Sequence, residues 1–271
     1  MKILEEAVVG KAYNPELCED MIFHNSHFVA VIDGASSYKS EFWPEKKSGR
    51  IAAEAILNSC GQLPIEVGAE DAVRHFNNAL KHAYGEKLGK AEADPQLQMF
   101  ANVILYSSYA KEIWSFGDCH GMINGRRFSF EKEIDKHLAS IRQAYLAGLI
   151  AQGRTEKELI ASDPSVLYMK PHLLRELQFA NQKGRWGFDV LNGMQINPEG
   201  VVRISVSIGD EIVLASDGYP KLMPTLAESE NELRRIMEND PLMFRLYPSV
   251  KGCSPDAASF DDRAYIRFVV E

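Results

Sequence analysis

Cysteine is sparse and scattered. Cys18, Cys60, Cys119 and Cys253 form no Cys-x-x-Cys pair, which excludes a zinc knuckle and a small disulfide scaffold and predicts four reduced thiols. No apolar run approaches the roughly 20 residues that a bilayer-spanning helix needs. The opening Met1-Lys2-Ile3-Leu4-Glu5-Glu6 has no basic region, long apolar core or small-residue cleavage site, so a cytoplasmic location without membrane contact is expected. Cations are in deficit: 30 Lys and Arg against 38 Asp and Glu give a net charge of -8, which argues against nucleic-acid binding driven by phosphate contacts. Also missing are a Walker phosphate loop, since Gly85-Glu86-Lys87-Leu88-Gly89-Lys90-Ala91 has the wrong spacing and no final hydroxyl, a Gly-x-Ser-x-Gly elbow and a His-Glu-x-x-His zinc helix. Nucleotide kinases and serine hydrolases therefore lose ground.

What is present is an ordinary globular composition, 45% hydrophobic and 25% charged over 271 residues, with no internal repeat or polar linker to mark a second domain. Short β-type runs fall in three stretches. Val8-Val9 and Phe28 to Ile32 read as an early pair, Ala101 to Tyr106, Glu112 to Phe116 and Met122-Ile123 as a central meander, and Val201 to Val206, Glu211 to Ala215 and Ala264 to Val270 as a closing group. The links at 108–111, 118–120 and 207–210 are short enough for hairpins, so antiparallel sheet is expected. Helical periodicity runs over about 46–60, 69–84, 130–161 and 165–182. Strands before and after helices predict an α+β layered domain, with the third and fourth helical stretches as an insertion or outer layer. The aromatic segment Gly184-Arg185-Trp186-Gly187-Phe188-Asp189 reads as a packed turn.

The chemistry-bearing feature is a set of acids abutting hydrophobic strands. Asp33-Gly34 follows His27 to Ile32, and Asp217-Gly218 follows Glu211 to Ser216. Glu19-Asp20 precedes Met21-Ile22-Phe23, and Asp261-Asp262 precedes the last strand. Singly, each is a common turn or cap. Together they form several carboxylates that repel one another unless cations or strongly shifted protonation offsets them. Hard oxygen donors suit magnesium or manganese, whereas the seven histidines show no ligand spacing for zinc or copper.

With these segments in view, the sequence resembles the metal-dependent protein phosphatases of the protein phosphatase 2C family, as a divergent, bacterial-type member. Glu19-Asp20, Val31-Ile32-Asp33-Gly34, Phe116-Gly117-Asp118, Leu214-Ala215-Ser216-Asp217-Gly218 and Asp261-Asp262-Arg263-Ala264 match five family motifs in order. The resemblance implies a four-layer α-β-β-α sandwich of two antiparallel sheets flanked by helices. It also implies one domain over 1–271, with a helical insertion or outer layer at about 128–184. It further implies a serine/threonine phosphoprotein phosphatase with two Mg2+ or Mn2+ ions, in which a water bridging the ions attacks the phosphate monoester. Asp33 would hold that water and bridge the ions, Gly34 would offer its carbonyl, Asp217 and Asp261 would bind one ion, Glu19 and Asp20 the second, and Asp118 a weaker additional one. The implied partners are a phosphorylated protein substrate and a cognate kinase.

The chain departs from the pattern in ways that matter for the reaction. Ala35-Ser36-Ser37 stands where many members carry a histidine, leaving His24 or His120 as proton-donor candidates. Cys18 replaces an asparagine and Ala264 a threonine. No arginine precedes Cys18 to bind phosphate, so Lys11 and Lys39 are the candidates. These losses motivate a second reading, a phosphatase-like sensor or scaffold with little or no catalysis. A haloacid dehalogenase-type phosphatase ranks low, because Ala35 occupies the position of that class's second aspartate.

Overall fold

The structure, a computed structural model, describes residues 1–12, 14–254 and 257–271. Its ten strands form two five-stranded sheets, and every strand pairing is antiparallel. One sheet holds, in spatial order, β1 (Lys2–Val9), β10 (Arg263–Val269), β9 (Glu211–Ala215), β6 (His120–Ile123) and β7 (Arg126–Phe128). The other holds β2 (Asp20–His24), β3 (Phe28–Ala35), β4 (Phe100–Ser107), β5 (Glu112–Phe116) and β8 (Val202–Ser205).

Period-two alternation decides which residues meet between the sheets. Val29 and Val31 of β3, Ile104 and Tyr106 of β4 and Ile113 of β5 face Ile212 and Leu214 of β9 and Ala264, Ile266 and Phe268 of β10. The alternate residues of the second sheet, Ala30, Ile32, Val103 and Leu105, point outward beneath α1 (Ser48–Cys60) and α2 (Ala69–Ala83). Because α1 presents Ala52, Ala53 and Ile56, it seats closely on that face. The outer face of the first sheet, Met122, Val213, Ala215 and Tyr265, is covered by Tyr219, Leu222 and Leu226. Leu226 opens α7 (Leu226–Asn239), whose Thr225 and Glu228 form a reciprocal capping box. The layers are thus helix, sheet, sheet, helix, as the resemblance implies.

After β7 the chain leaves the sheets. Past the short α3 (Leu88–Ala93) that precedes β4, the remaining helices α4 (Glu133–Ala151), α5 (Glu156–Ala161) and α6 (Ser165–Glu176) all lie between β7 and β8. Ile134, Leu138 and Met169 pack with Trp186, Phe188 and Val250, and Leu146 and Leu159 with Leu242 and Phe244. These clusters contain no strand residue, so the helical layer rests on the segment around 240–250.

Several expectations need correction. The links at 118–120 and 207–210 are not hairpins, because each carries the chain from one sheet to the other, β5 to β6 and β8 to β9. A short loop between two strands looks the same in sequence whether the strands pair or lie in stacked sheets. Val8-Val9 and Phe28 to Ile32 are not partners either, since β1 pairs with β10 while β3 pairs with β2 and β4. The stretch 130–161 is two helices, interrupted at Gln152-Gly153-Arg154, where Gly153 takes φ +96°. The aromatic segment is a turn, with Gly184 at φ +115° and Trp186 and Phe188 packed on the helical layer.

Candidate metal centre

The inward register that builds the apolar layer also places acids at one end of it. Along β3 the inward positions are Val29, Val31 and then Asp33, and along β2 they are Ile22 and Asp20. Asp20 and Asp33 lie directly opposite one another in the ladder, and Asn102 of β4 lies opposite Asp33 on the other side. On the facing sheet the same alternation continues past Leu214 to Ser216 and back from Ala264 to Asp262. Asp217 and Asp261 follow at the rim, each one residue further out. Asp118 joins from the crossing loop, where Gly117 turns at φ +103° with no room for a side chain against Asn102.

Two kinds of acid meet here. Asp20 and Asp33 are 2% and 9% exposed, and the Oδ2 of Asp20 is buried without a hydrogen-bond partner. Among the described residues no lysine or arginine pairs with Asp20, Asp33 or Asp217. Burial, then Asp217, Asp20, Asp118 and Asp261, push Asp33 well above the usual carboxylate range. Burial and the neighbouring Asp261, Asp217 and Asp262 do the same to Asp20, against an opposing hydrogen bond with Ser216. The enclosing protein and the charges of Asp118 and Asp261 push Asp217 up to about 7, although its side chain reaches the surface.

Asp261 and Asp118 are different, because lysines engage them. Lys11 Nζ lies 2.7 Å from Oδ1 of Asp261, and Lys251 Nζ pairs with its Oδ2. Burial alone would raise Asp261, but Lys251 and Lys11 outweigh it and hold the carboxyl well below its ordinary value. Lys132 Nζ lies 2.7 Å from Oδ2 of Asp118, whose Oδ1 is buried and unpartnered.

The remaining expected residues occupy structural positions beside the centre. Glu19 is buried, accepts a hydrogen bond from the Ser36 hydroxyl and lies 3.5 Å from Lys47 Nζ. Asp262 accepts the backbone N–H of Lys11 at 2.7 Å and of Glu19 at 3.2 Å, tying the first loop to the last strand. Gly34 donates its N–H to the Glu19 carbonyl at 3.2 Å, and a side chain there would strike the backbone of Gly49 and of Glu19. Its missing Cβ is what lets α1 seat against β3. Lys39 pairs with Asp94 at 2.6 Å and does not reach the acids. His24 lies at the opposite end of β2 from Asp20 and pairs with Glu6 at 3.1 Å. His120 stands beside Asp118, but burial lowers its pKa to about 4, so it is neutral at pH 7. Lys132 and Lys251 escape sequence reasoning because a lysine in a loop carries no signal of what it reaches.

A divalent ion suits the half of this arrangement that no lysine engages among the described residues, Asp20 and Asp33 on their strands and Asp217 just past the end of β9. Asp20 and Asp33 offer hard oxygens, a buried orphan oxygen among them, at the end of an otherwise apolar layer, and Asp217 offers another from its rim. Among the described residues no three His, Cys, Asp or Glu side chains already converge on a coordination point, so seating an ion requires rotation of these side chains. The fit at Asp261 is poor, since both of its oxygens are taken by ammonium groups.

No family model matches the chain, and no curated protein matches it. Solved structures do. A Mycobacterium tuberculosis serine/threonine phosphatase, PstP/Ppp, is similar at 17% identity and a TM-score of 0.47, with 99% of each chain covered. The PPM Ser-Thr phosphatase MsPP from Mycobacterium smegmatis, in complex with cacodylate, is similar at 14% identity and a TM-score of 0.48 over 100% of both chains. RsbX in complex with magnesium is similar at 10% identity and a TM-score of 0.46, over 98% of this chain and 97% of that one. Among the described residues no helix is long and apolar enough to cross a membrane.

Proposed function

We propose that the chain is a divalent-metal-dependent phosphoric monoester hydrolase acting on phosphoserine or phosphothreonine in protein substrates, with the kinase that installs those groups as its functional counterpart. The observation that carries this reading is the cross-strand pair Asp20 and Asp33, buried in the inter-sheet layer beside Asp217 with no cationic partner among the described residues. Two carboxylate charges at a cross-strand separation of roughly 5 Å repel by about 3 kcal/mol at an effective dielectric of 20. A fold that keeps such a pair inside holds it either by keeping protons on it or by seating a cation between its members, and the cation is what a hydrolytic site needs.

Magnesium or manganese bound there supplies a hydrolytic nucleophile at neutral pH and offsets charge on the phosphoryl oxygens. The protein's own part is positional. Asp20, Asp33 and Asp217 hold the ion, with Asp33 central because it borders Asp20 in the ladder and feels Asp217, Asp118 and Asp261 as well. Lys11, Lys132 and Lys251 bring positive charge to the rim that a phosphate dianion would approach. With His120 neutral and His24 remote, the leaving oxygen takes its proton from solvent. The helical layer within about 128–184 belongs to the same single domain and furnishes one wall of this rim through Lys132.

The second reading, a sensor or scaffold with weak catalysis, is favoured by the engagement of Asp261 by two lysines. An aryl phosphate and phosphopeptides, assayed with manganese, separate the two. The phosphatase reading expects chelator-sensitive turnover that falls at least about 100-fold in Asp33→Asn, in the range of other groups acting on developing charge. Metal binding without turnover supports the sensor, and turnover indifferent to chelator and to Asp33→Asn contradicts both.

A further inference from the structure

We infer that Lys11 and Lys251 stand in for one cation of the centre, so that it takes a single divalent ion on Asp20, Asp33 and Asp217 while Asp261 stays bound to ammonium groups. This rests on the reading of the site as a metal-dependent hydrolase.

The first support is that each Asp261 oxygen has its own lysine. Lys11 Nζ lies 2.7 Å from Oδ1, which also accepts the N–H of Asp262 at 2.9 Å, and Lys251 takes Oδ2, so an ion on Asp261 would compete with a charge-assisted bond at each oxygen. Seating an ion on Asp261 would also bring it against two ammonium groups of the same sign.

The second support is that both lysines are held in place by the fold. The backbone of Lys11 donates its N–H to Asp262 at 2.7 Å and accepts the N–H of Ala258 at 2.8 Å. Lys251 extends from a segment with its own framework. The Asp240 carboxylate accepts the N–H groups of Phe244, Arg245 and Leu246 at 3.0, 2.7 and 2.8 Å. Arg142 of α4, 1% exposed, donates to the carbonyls of Leu242 at 2.7 Å and of Met243 and Ser249 at 3.2 Å. Ser249 lies two residues from Lys251. A built segment of this kind presents its lysine at Asp261 as part of the fold.

The third support is the charge balance. Asp20, Asp33, Asp118, Asp217 and Asp261 form one interacting group, and Lys11, Lys132 and Lys251 reach into it. Of the adjoining acids, Glu19 lies 3.5 Å from Lys47 Nζ and 3.9 Å from Lys11 Nζ, and Asp262 lies 3.6 Å from Lys11 Nζ and also accepts two backbone N–H groups. With Asp262 counted, three ammonium groups face six carboxylates, and a divalent ion offsets most of the negative surplus that the lysines leave.

The test is titration of the whole protein with Mn2+ by calorimetry, with electron paramagnetic resonance on the loaded sample. One ion per chain and the spectrum of isolated Mn2+ are expected. In Lys11→Gln/Lys251→Gln a second ion and an exchange-coupled spectrum should appear, with circular dichroism confirming the fold. Lys251→Gln alone guards against misfolding of the double variant, because its side chain is nearly half exposed. It should admit a second ion at least tenfold more weakly than the first. Two coupled ions in the unaltered protein, or only one in both variants, would overturn the inference. Two ions together with phosphoester hydrolysis would overturn it and leave the phosphatase reading standing. One ion and no hydrolysis would do the reverse, and no ion at all would overturn both.

Discussion

The two halves of the acidic centre are built from different material. Asp20 and Asp33 sit on paired strands, fixed by a ladder and an apolar layer that continue beyond them, and no cation meets them. Asp118 and Asp261 sit on loops, and a cation reaches each. Strand register places a side chain with little freedom to escape its neighbours, so without an ion the pair is relieved only by keeping protons. Loops leave room for a long lysine to arrive from elsewhere in the chain, so the same residue type is neutralised from within. Asp217, just past the end of β9, has no lysine on it either among the described residues, so what distinguishes a ligand from an ion-paired acid is what can reach it, and strand register is one way of keeping cations away. Residue type and motif do not separate the two.

The largest expected effect breaks the loop half alone. Arg142 is buried, lies 2.7 Å from the Asp163 carboxylate and joins α4 to the segment that carries Lys251. Arg142→Met should cost about 3–5 kcal/mol in denaturant unfolding, the range for leaving one member of a buried pair uncompensated. A loss under about 1 kcal/mol, the size of an exposed ion pair, would mean that the segment does not depend on this anchor.

A smaller effect is set by protonation, and the two halves oppose one another in it. With chelator present, Asp20 and Asp33 sit well above the ordinary carboxylate range and Asp217 near about 7. From about pH 4 to pH 7 the folded chain therefore keeps protons that the unfolded chain has released, and its stability falls as pH rises. Asp261, held low, stabilises the fold above the unfolded carboxylate value and loses that contribution only as pH falls below it. Tm of the metal-free protein should thus decline from pH 4 to pH 7, and Asp33→Asn should flatten the decline. A Tm rising over that interval would place the strand acids in the ion-paired class and erase the difference between the halves.

How much of this was legible beforehand follows the same division. The runs Phe28 to Ile32 and Ala101 to Tyr106 announce buried strands because both faces are covered, and Asp33 can be placed at the end of its run. The edge strand β1 shows in the sequence only at Val8-Val9, since Lys2 and Glu6 on its exposed side and Glu5 on its half-buried side dilute the alternation. The helix α7 shows in the sequence only through the capping box of Thr225 and Glu228, because its apolar positions are few. Asp118 and Asp261 could be read as acids in motifs, yet their lysines could not. Lys251 comes from a loop that packs on the helical layer, and Lys132 from the start of α4. Contacts that depend on how two loops fold back on each other leave no periodic trace in the sequence, even across the 10 residues from Lys251 to Asp261. Lys11 was a candidate for phosphate, and the fold brings it to Asp261 instead.

The central claim is that unpaired carboxylates at the end of the inter-sheet layer hold a divalent ion. Anomalous diffraction from a crystal soaked in manganese tests it most directly. The account predicts one strong peak between Asp20, Asp33 and Asp217, with Lys11 and Lys251 still on Asp261. A map with no peak at that end of the layer would contradict it.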